Sequence, residues 1–416
     1  FRIYEPPRFF EAFLRGKGFA EVPDITARIC GICPVAYQMS SVHALEGLFG
    51  TVVPAGTREL RRLLYCAEYI ESHSLHIYLL QAPDLLGYPD AVAMAKDHKA
   101  LVETGLRLKK AGNTLMAAIG GREIHPVSVK VGGFHKAVSA RRLKELVPEL
   151  AWARGAAEDT LRWACAQKAP AFEQDYEFVA LRHPDEYPLN EGRIVSSKGL
   201  DIAASEFNGH FSEVHVPHSN ALHCLRKGGG QGAAVLGARP VSSREEGGSP
   251  YLVGALARFN LNFDRLPQSV RRVCESLGLV PTIRNPFLGM AVRAAELLFA
   301  CDEALRLIAA YRAPEPSSVE PRPRPGEGHA ATEAPRGILY HRYRTDASGG
   351  ILEAQIVPPT AQNQARIEAD LWEYLPRVLD LPKEEFSLAC ETAVRNYDPC
   401  ISCATHFLDV ELDKDG

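Results

Sequence analysis

The 416-residue sequence contains no run approaching 18 consecutive apolar residues, so no membrane-spanning helix is expected. It has no long basic run, and a formal net charge of -4 is small for this length, which removes support for nucleic-acid binding. There is no Gly-x-Gly-x-x-Gly dinucleotide fingerprint and no fixed-period repeat. The opening F-R-I-Y-E-P-P lacks the charged and apolar regions of a signal peptide. Ten cysteines scattered over this length do not make a disulfide framework. Two tight Cys-x-x-Cys pairs among them favour metal or redox chemistry in a reducing compartment, by default the cytoplasm.

What is present is enough apolar sequence, 46%, to bury a large core. Apolar residues recur at three- and four-residue spacing over 57–80, 90–118, 139–167, 289–312, 362–378 and 382–395, which predicts helices, with Ser139 as an N-cap. Short strands are expected at 126–134, 176–182 and 213–217, and a hairpin at G-I-L-Y-H-R-Y-R, T-D-A-S-G-G, I-L-E-A-Q-I-V. Residues 313–332 begin Pro-rich, charged and aperiodic, and are expected to form an exposed loop. The fold class is mainly α with small β additions. A single domain spanning 1–416 is expected, because chemistry-bearing residues sit at both ends of the chain and must meet in one core.

Those residues are R-I-C-G-I-C near the start and D-P-C-I-S-C-A-T-H near the end. Two thiols alone leave a metal under-coordinated, so each pair is half of a site. On spacing alone, four thiolates most often mean a closed structural zinc site, at about 2.3 Å per bond. Zinc knuckles, however, usually pin a small module, whereas here most of the protein lies between the pairs, and a chain this large needs no staple. A buried cluster of soft thiolates joining both ends of a helical core is better suited to a redox-active transition metal.

The two cysteine motifs resemble the paired signatures of nickel-iron hydrogenase large subunits. The likeness extends to R-F-F-E-A-F-L-R-G, H-S-L-H-I-Y, G-G-R-E-I-H-P, V-G-G-F, Y-L-V-G-A-L-A-R, N-P-F with V-R-A-A-E, A-P-R-G-I-L-Y-H and I-V-P-P-T-A-Q-N, in the family's order across nearly the whole chain. The resemblance implies that Cys30, Cys33, Cys400 and Cys403 bind nickel, with Cys33 and Cys403 shared with an iron carrying cyanide and carbon monoxide. It implies heterolytic cleavage of dihydrogen, with Cys400 as proton acceptor. Arg336 in A-P-R-G corresponds to an arginine above the open metal face, whose cationic fork can polarise a bound molecule or hydrogen-bond a cyanide. Thr360, next to Pro359 in P-P-T-A-Q-N, corresponds to a hydroxyl that donates to a second cyanide. Glu11, His406 and the carbonyl of Ile356 correspond to the protein ligands of a magnesium ion, a sparse set that suits a cation reluctant to shed its waters.

The sequence departs from the family at several points. Tyr37 stands where many members have histidine; a phenol can still donate one hydrogen bond to a sulfur but cannot relay protons near neutral pH as imidazole can. This favours the cytosolic bidirectional branch. Ser72 replaces an acidic residue before His73. The family's proton-gating glutamate belongs to a stretch upstream of Glu11 that is missing here, so either the start is trimmed or the proton exit differs, with Glu11 and Glu46 as fallback candidates. Past His406, where most relatives are cleaved, the chain continues F-L-D-V-E-L-D-K-D-G, an unprocessed form or a retained tail. The six remaining cysteines are isolated and are assigned to core packing. With no further cluster ligands, electrons need an iron-sulfur small subunit, with diaphorase-type subunits beyond it and NAD(P) or a related acceptor at the end. Its interface is expected near the N-terminal cysteines and the helix bearing His73 and His76. The alternatives are a dihydrogen-sensing or structural zinc protein, and a quinone-site homologue of respiratory complex I, against which four retained thiols argue.

Overall fold

The computed structural model describes residues 1–3, 8–228, 234–235, 240–241 and 248–400. Helices dominate. Ala55–Leu75 forms a 21-residue helix buried along most of its length. It runs into a wider π-helical segment, His76–Gln81, and packs against the helices Lys99–Gly120 and Gly289–Ala310. Val147–Cys165 packs against Gly289–Ala310 as well. The predicted 139–167 helix is in fact two, Ala140–Lys144 and Val147–Cys165, and Ser139 caps the first by accepting from the Arg142 N–H. The 90–118 helix proper starts at Lys99, after a four-residue helix, Ala91–Met94.

Pro34–Phe49 is a helix that periodicity does not reveal, because 14 of its residues are buried and no polar face remains. It lies across a three-stranded antiparallel sheet, Gly326–Ala334, Gly337–Thr345 and Ile351–Val357, whose strands follow chain order. Ser40 and Tyr65 both hydrogen-bond Thr332 on the first strand. The 351–357 arm of the predicted hairpin pairs as expected, its turn tied by Asp346 to the Ser348 and Gly350 N–H groups.

The exposed loop expected at 313–332 is corrected: it ends where Gly326–Ala334 begins, and residues 330–332 are buried in the sheet. G-E-G-H-A-A-T lacks the β-branched alternation that marks strands. Helix and neighbouring strand, not local propensity, make it extended.

Candidate metal centre

The turn after Ile29 places the first two cysteines. Cys30 Sγ accepts from the Cys33 N–H at 3.2 Å and from the Ile32 N–H at 3.4 Å, and the two sulfurs lie 2.8 Å apart. Cys33 is the N-cap of Pro34–Phe49, with Pro34 at the first helical position, where the missing N–H costs nothing. The next two N–H groups are orphans of the helix start, and both are taken by Glu68 from the long helix: Val35 N at 2.7 Å and Ala36 N at 3.2 Å. Burial pushes the Glu68 carboxyl well above its usual range.

The far end of the chain comes back to this point. The ligand atoms of Cys30, Cys33 and Cys400 all lie within 4.8 Å of one another, although 370 positions separate the first and last. Cys33 is buried and Cys400 is exposed. The Cys400 N–H donates to Thr360 Oγ1 at 3.0 Å, at the start of the Pro359–Tyr374 helix. Pro359 opens that helix and is buried. The three thiols do not share charge equally. Hydrogen bonds from Cys30 and Cys33, and then Arg336, outweigh the desolvation of the Cys400 sulfur and hold it far below the ordinary thiol range. Cys33 is pushed up by its bonds to Cys30 and Cys400 and by burial. For Cys30 the Cys33 bond pulls down, yet Cys400 and burial win and take it to about 12. Three converging sulfurs beside a cation are a donor set suited to a soft metal.

Arg336 stands over this group. Ala334 pairs with Gly337, so Pro335 and Arg336 are the two residues of a tight turn, buried rather than on the surface. The Arg336 Nη1–H donates to Cys33 Sγ at 3.6 Å, and Nε lies 3.2 Å from Asp398 Oδ1. The turn is tight enough to require glycine twice. A Cβ on Gly337, at φ +134°, would meet Val253 Cγ2 at 2.6 Å, and one on Gly254, at φ +112°, would meet the Arg336 carbonyl at 2.8 Å.

Glu11 and Ile356 also come together, the Ile356 N–H donating to Glu11 Oε1 at 2.6 Å. Burial lifts the Glu11 carboxyl to about 7, against the pull of that N–H. Cys403 and His406 lie outside the described residues.

Several sequence expectations need revision. Glu46 is no free acid: it accepts two bonds from Arg61 and one from the Gly132 N–H. Among the described residues no hydrogen bond joins Tyr37 to a thiol. The phenol is buried beside His341, because the helix carrying it faces the sheet. The side chains of His73 and His76 are fully buried, the first against Glu296 at 3.0 Å and the second against the Arg395 carbonyl at 2.8 Å. Of the isolated cysteines, Cys66, Cys224, Cys274, Cys301 and Cys390 are buried, as core packing requires.

Sequence reasoning gave no role to Glu68, Asp398 or Arg258. Arg258 donates to Glu296, to Glu333 and to the carbonyls of Ala334 and Pro335, all at 2.8 Å, and so fixes the turn that carries Arg336. The one signal for it was an ionisable residue inside an otherwise apolar motif, A-L-A-R-F.

These residues fit a bound metal: three thiols from opposite chain ends converge, one is held as thiolate, and a buried guanidinium faces them. A family model described as nickel-dependent hydrogenase matches residues 8–104. The chain is 32% identical to the sulfhydrogenase 2 alpha subunit of Pyrococcus furiosus over 98% of this chain and 92% of that one. It is 28% identical to a chain of the vhc F420-non-reducing hydrogenase of Methanococcus voltae, over 97% and 88%. The fold matches a solved NAD+-reducing [NiFe]-hydrogenase with a TM-score of 0.81, covering 97% of this chain and 92% of that one at 23% identity. With the likeness to the sulfhydrogenase alpha chain running almost end to end, the chain belongs to the nickel-dependent hydrogenase family and is the catalytic subunit of an oxidoreductase acting on dihydrogen.

Proposed function

We propose that Cys30, Cys33, Cys400 and Cys403 hold one nickel-iron centre, the iron carrying cyanide and carbon monoxide, within a single domain formed by the whole chain. When bound, that centre supplies the reversible heterolytic cleavage of dihydrogen. The supporting observation is the convergence of three of the four thiols beneath a buried arginine. Cys400 is the proton acceptor: the neighbouring thiols and Arg336 favour its thiolate, the form whose Sγ can take up a proton. Arg336 contributes a fixed positive charge on the open side, and with Thr360 and Pro359 lines the place of the cyanide groups. Glu11 and the Ile356 carbonyl, with His406, hold a magnesium ion, whose charge would offset the cost of a buried carboxylate at Glu11. Glu11 is also the fallback candidate for proton exit that Glu46, tied to Arg61, no longer is.

Electrons leave through an iron-sulfur small subunit, because this sequence has no further cysteine cluster to carry them. The likeness to a chain named as an alpha subunit is in keeping with such a partner. The enzyme is bidirectional and cytoplasmic in this proposal and delivers to NAD(P) or a related acceptor through diaphorase-type subunits; likeness to chains named F420-non-reducing is in keeping with an acceptor other than F420. No described helix is long and apolar enough to cross a membrane.

The test is metal analysis of the purified complex together with its infrared spectrum. Nickel and iron with carbonyl and cyanide bands are expected. Zinc at the four cysteines, with no such bands, would overturn the reading.

A further inference from the structure

The Pro359–Tyr374 helix that brings Thr360 to the cysteine centre carries a second cluster two turns further along. Glu368 faces the hairpin formed by Phe211–Val216 and Ser219–Arg226, where His218 occupies the turn and His223 the second strand. Nε2 of His218 lies 2.7 Å from Glu368 Oε1, and Nε2 of His223 lies 3.8 Å from the same oxygen. One nitrogen from each ring and a carboxylate oxygen all fall within 4.8 Å of one another.

A plain ion pair accounts for only part of this. His218 and Glu368 would be satisfied by each other. His223 is left over. Its side chain is 0% exposed, yet among the described residues neither ring nitrogen meets a protein group in close hydrogen-bond geometry, Gln364 only approaching it, and 3.8 Å is too long for a bond to Glu368. Oε2 of Glu368 is likewise buried without a partner, on a side chain 8% exposed. Buried imidazole nitrogens and carboxylate oxygens are rarely left so, and here the unmet atoms belong to one cluster.

We infer that His218, His223 and Glu368 form a second metal site, distinct from the cysteine centre, that takes a divalent transition cation, with zinc the best match. Two imidazoles among three protein donors favour a borderline transition cation over magnesium or calcium, which prefer mostly oxygen, and suit zinc with water as the remaining ligand. Donors around a tetrahedral zinc sit ~3.3 Å apart at bond lengths of about 2.0–2.1 Å, so the present spacing needs only a small rotation of the side chains. The cation would clamp the hairpin to the helix, where Ser219 and the Leu222 carbonyl already hydrogen-bond Gln364. Its role is to fix the helix whose first turn holds Cys400 through Thr360.

The test is zinc and nickel content of the full complex after equilibration with zinc alone, for the native protein and for His218→Gln, His223→Gln and Glu368→Gln. The native protein should retain zinc beyond that accounted for by its cysteines. Each variant should lose that zinc, with affinity weakened at least ~100-fold, because even indirect partners of a metal ligand cost about 10–100-fold. Nickel content should be unchanged, which separates this site from the cysteine centre. His218 is a partly exposed turn residue, so its variant folds even if His223→Gln does not. Equal zinc in the native protein and His218→Gln, or no zinc beyond the cysteines in the native protein, would overturn the proposal.

Discussion

Two arginines lie at the heart of this molecule, both buried, and they differ in what they face. Arg258 uses all five of its N–H donors on protein acceptors, two carboxylates and two carbonyls. Arg336, next in the chain to those carbonyls, meets among the described residues only Asp398, at Nε, and Cys33, at Nη1. A saturated guanidinium is a structural part; it has nothing left to give. An unsaturated one keeps donors and field for something not supplied by the protein. Desolvating a cation without full compensation is costly, so such an arrangement persists where the missing partner is a ligand. The first arginine builds the turn, and the second uses it.

The sharpest way to probe the unsaturated side is Cys400→Ser. Replacing the one thiolate in the group by a hydroxyl should abolish dihydrogen turnover while leaving the helical circular dichroism largely intact, since the core does not depend on the metal. Global unfolding of this variant would instead identify the thiols as a structural staple. On the saturated side, Arg258→Ala leaves Glu296 and Glu333 buried without their shared cation. It should cost about 3–5 kcal/mol in denaturant unfolding. Arg336→Lys should retain both metals and nearly native stability but lose about 100-fold or more in turnover, the scale of one preorganised electrostatic donor. A finding that Arg336→Lys destabilises more than Arg258→Ala would dissolve the contrast between the two.

The smallest effect concerns pH. Burial works against ionisation of Glu296, but Arg258 and His73 outweigh it and hold that carboxyl far below its usual range. Asp370 shows the opposite balance: burial lifts it from 3.8 to about 6 despite Arg366 and the Tyr176 and Tyr397 hydroxyls. The folded state therefore keeps this proton longer than the unfolded chain does. Its stabilising contribution is full below about pH 4 and is lost as pH rises toward 6, by ~1 kcal/mol per pH unit at most. Urea unfolding between pH 4 and 6 should have a flatter pH dependence in Asp370→Asn than in the native protein. An unchanged slope would show that Asp370 is ionised throughout.

Much of the fold was legible because long helices with one polar face print a period on the sequence, as Ala55–Leu75 and Lys383–Arg395 do. Pro34–Phe49 was not, since burial on every side erases the period, and Gly326–Ala334 was not, since its sequence has the composition of a loop. At the centre, the cysteines and Arg336 stood out through their motifs. Glu68 and Arg258 did not, because each acts on backbone groups far away in sequence, and no local pattern records which N–H or carbonyl a buried charge will meet.

By itself, the sequence determined the chemistry available: two thiol pairs, an arginine between proline and glycine, and a core large and apolar enough to bury them. Only the tertiary structure decided which of these meet. It brought Cys400 back to Cys30 and Cys33, turned Arg336 inward rather than to solvent, and left His223 beside Glu368 with its nitrogens unmet. The reason is physical. Donor type is a property of a residue, whereas burial, distance and the saturation of a donor depend on segments that the chain brings together only on folding.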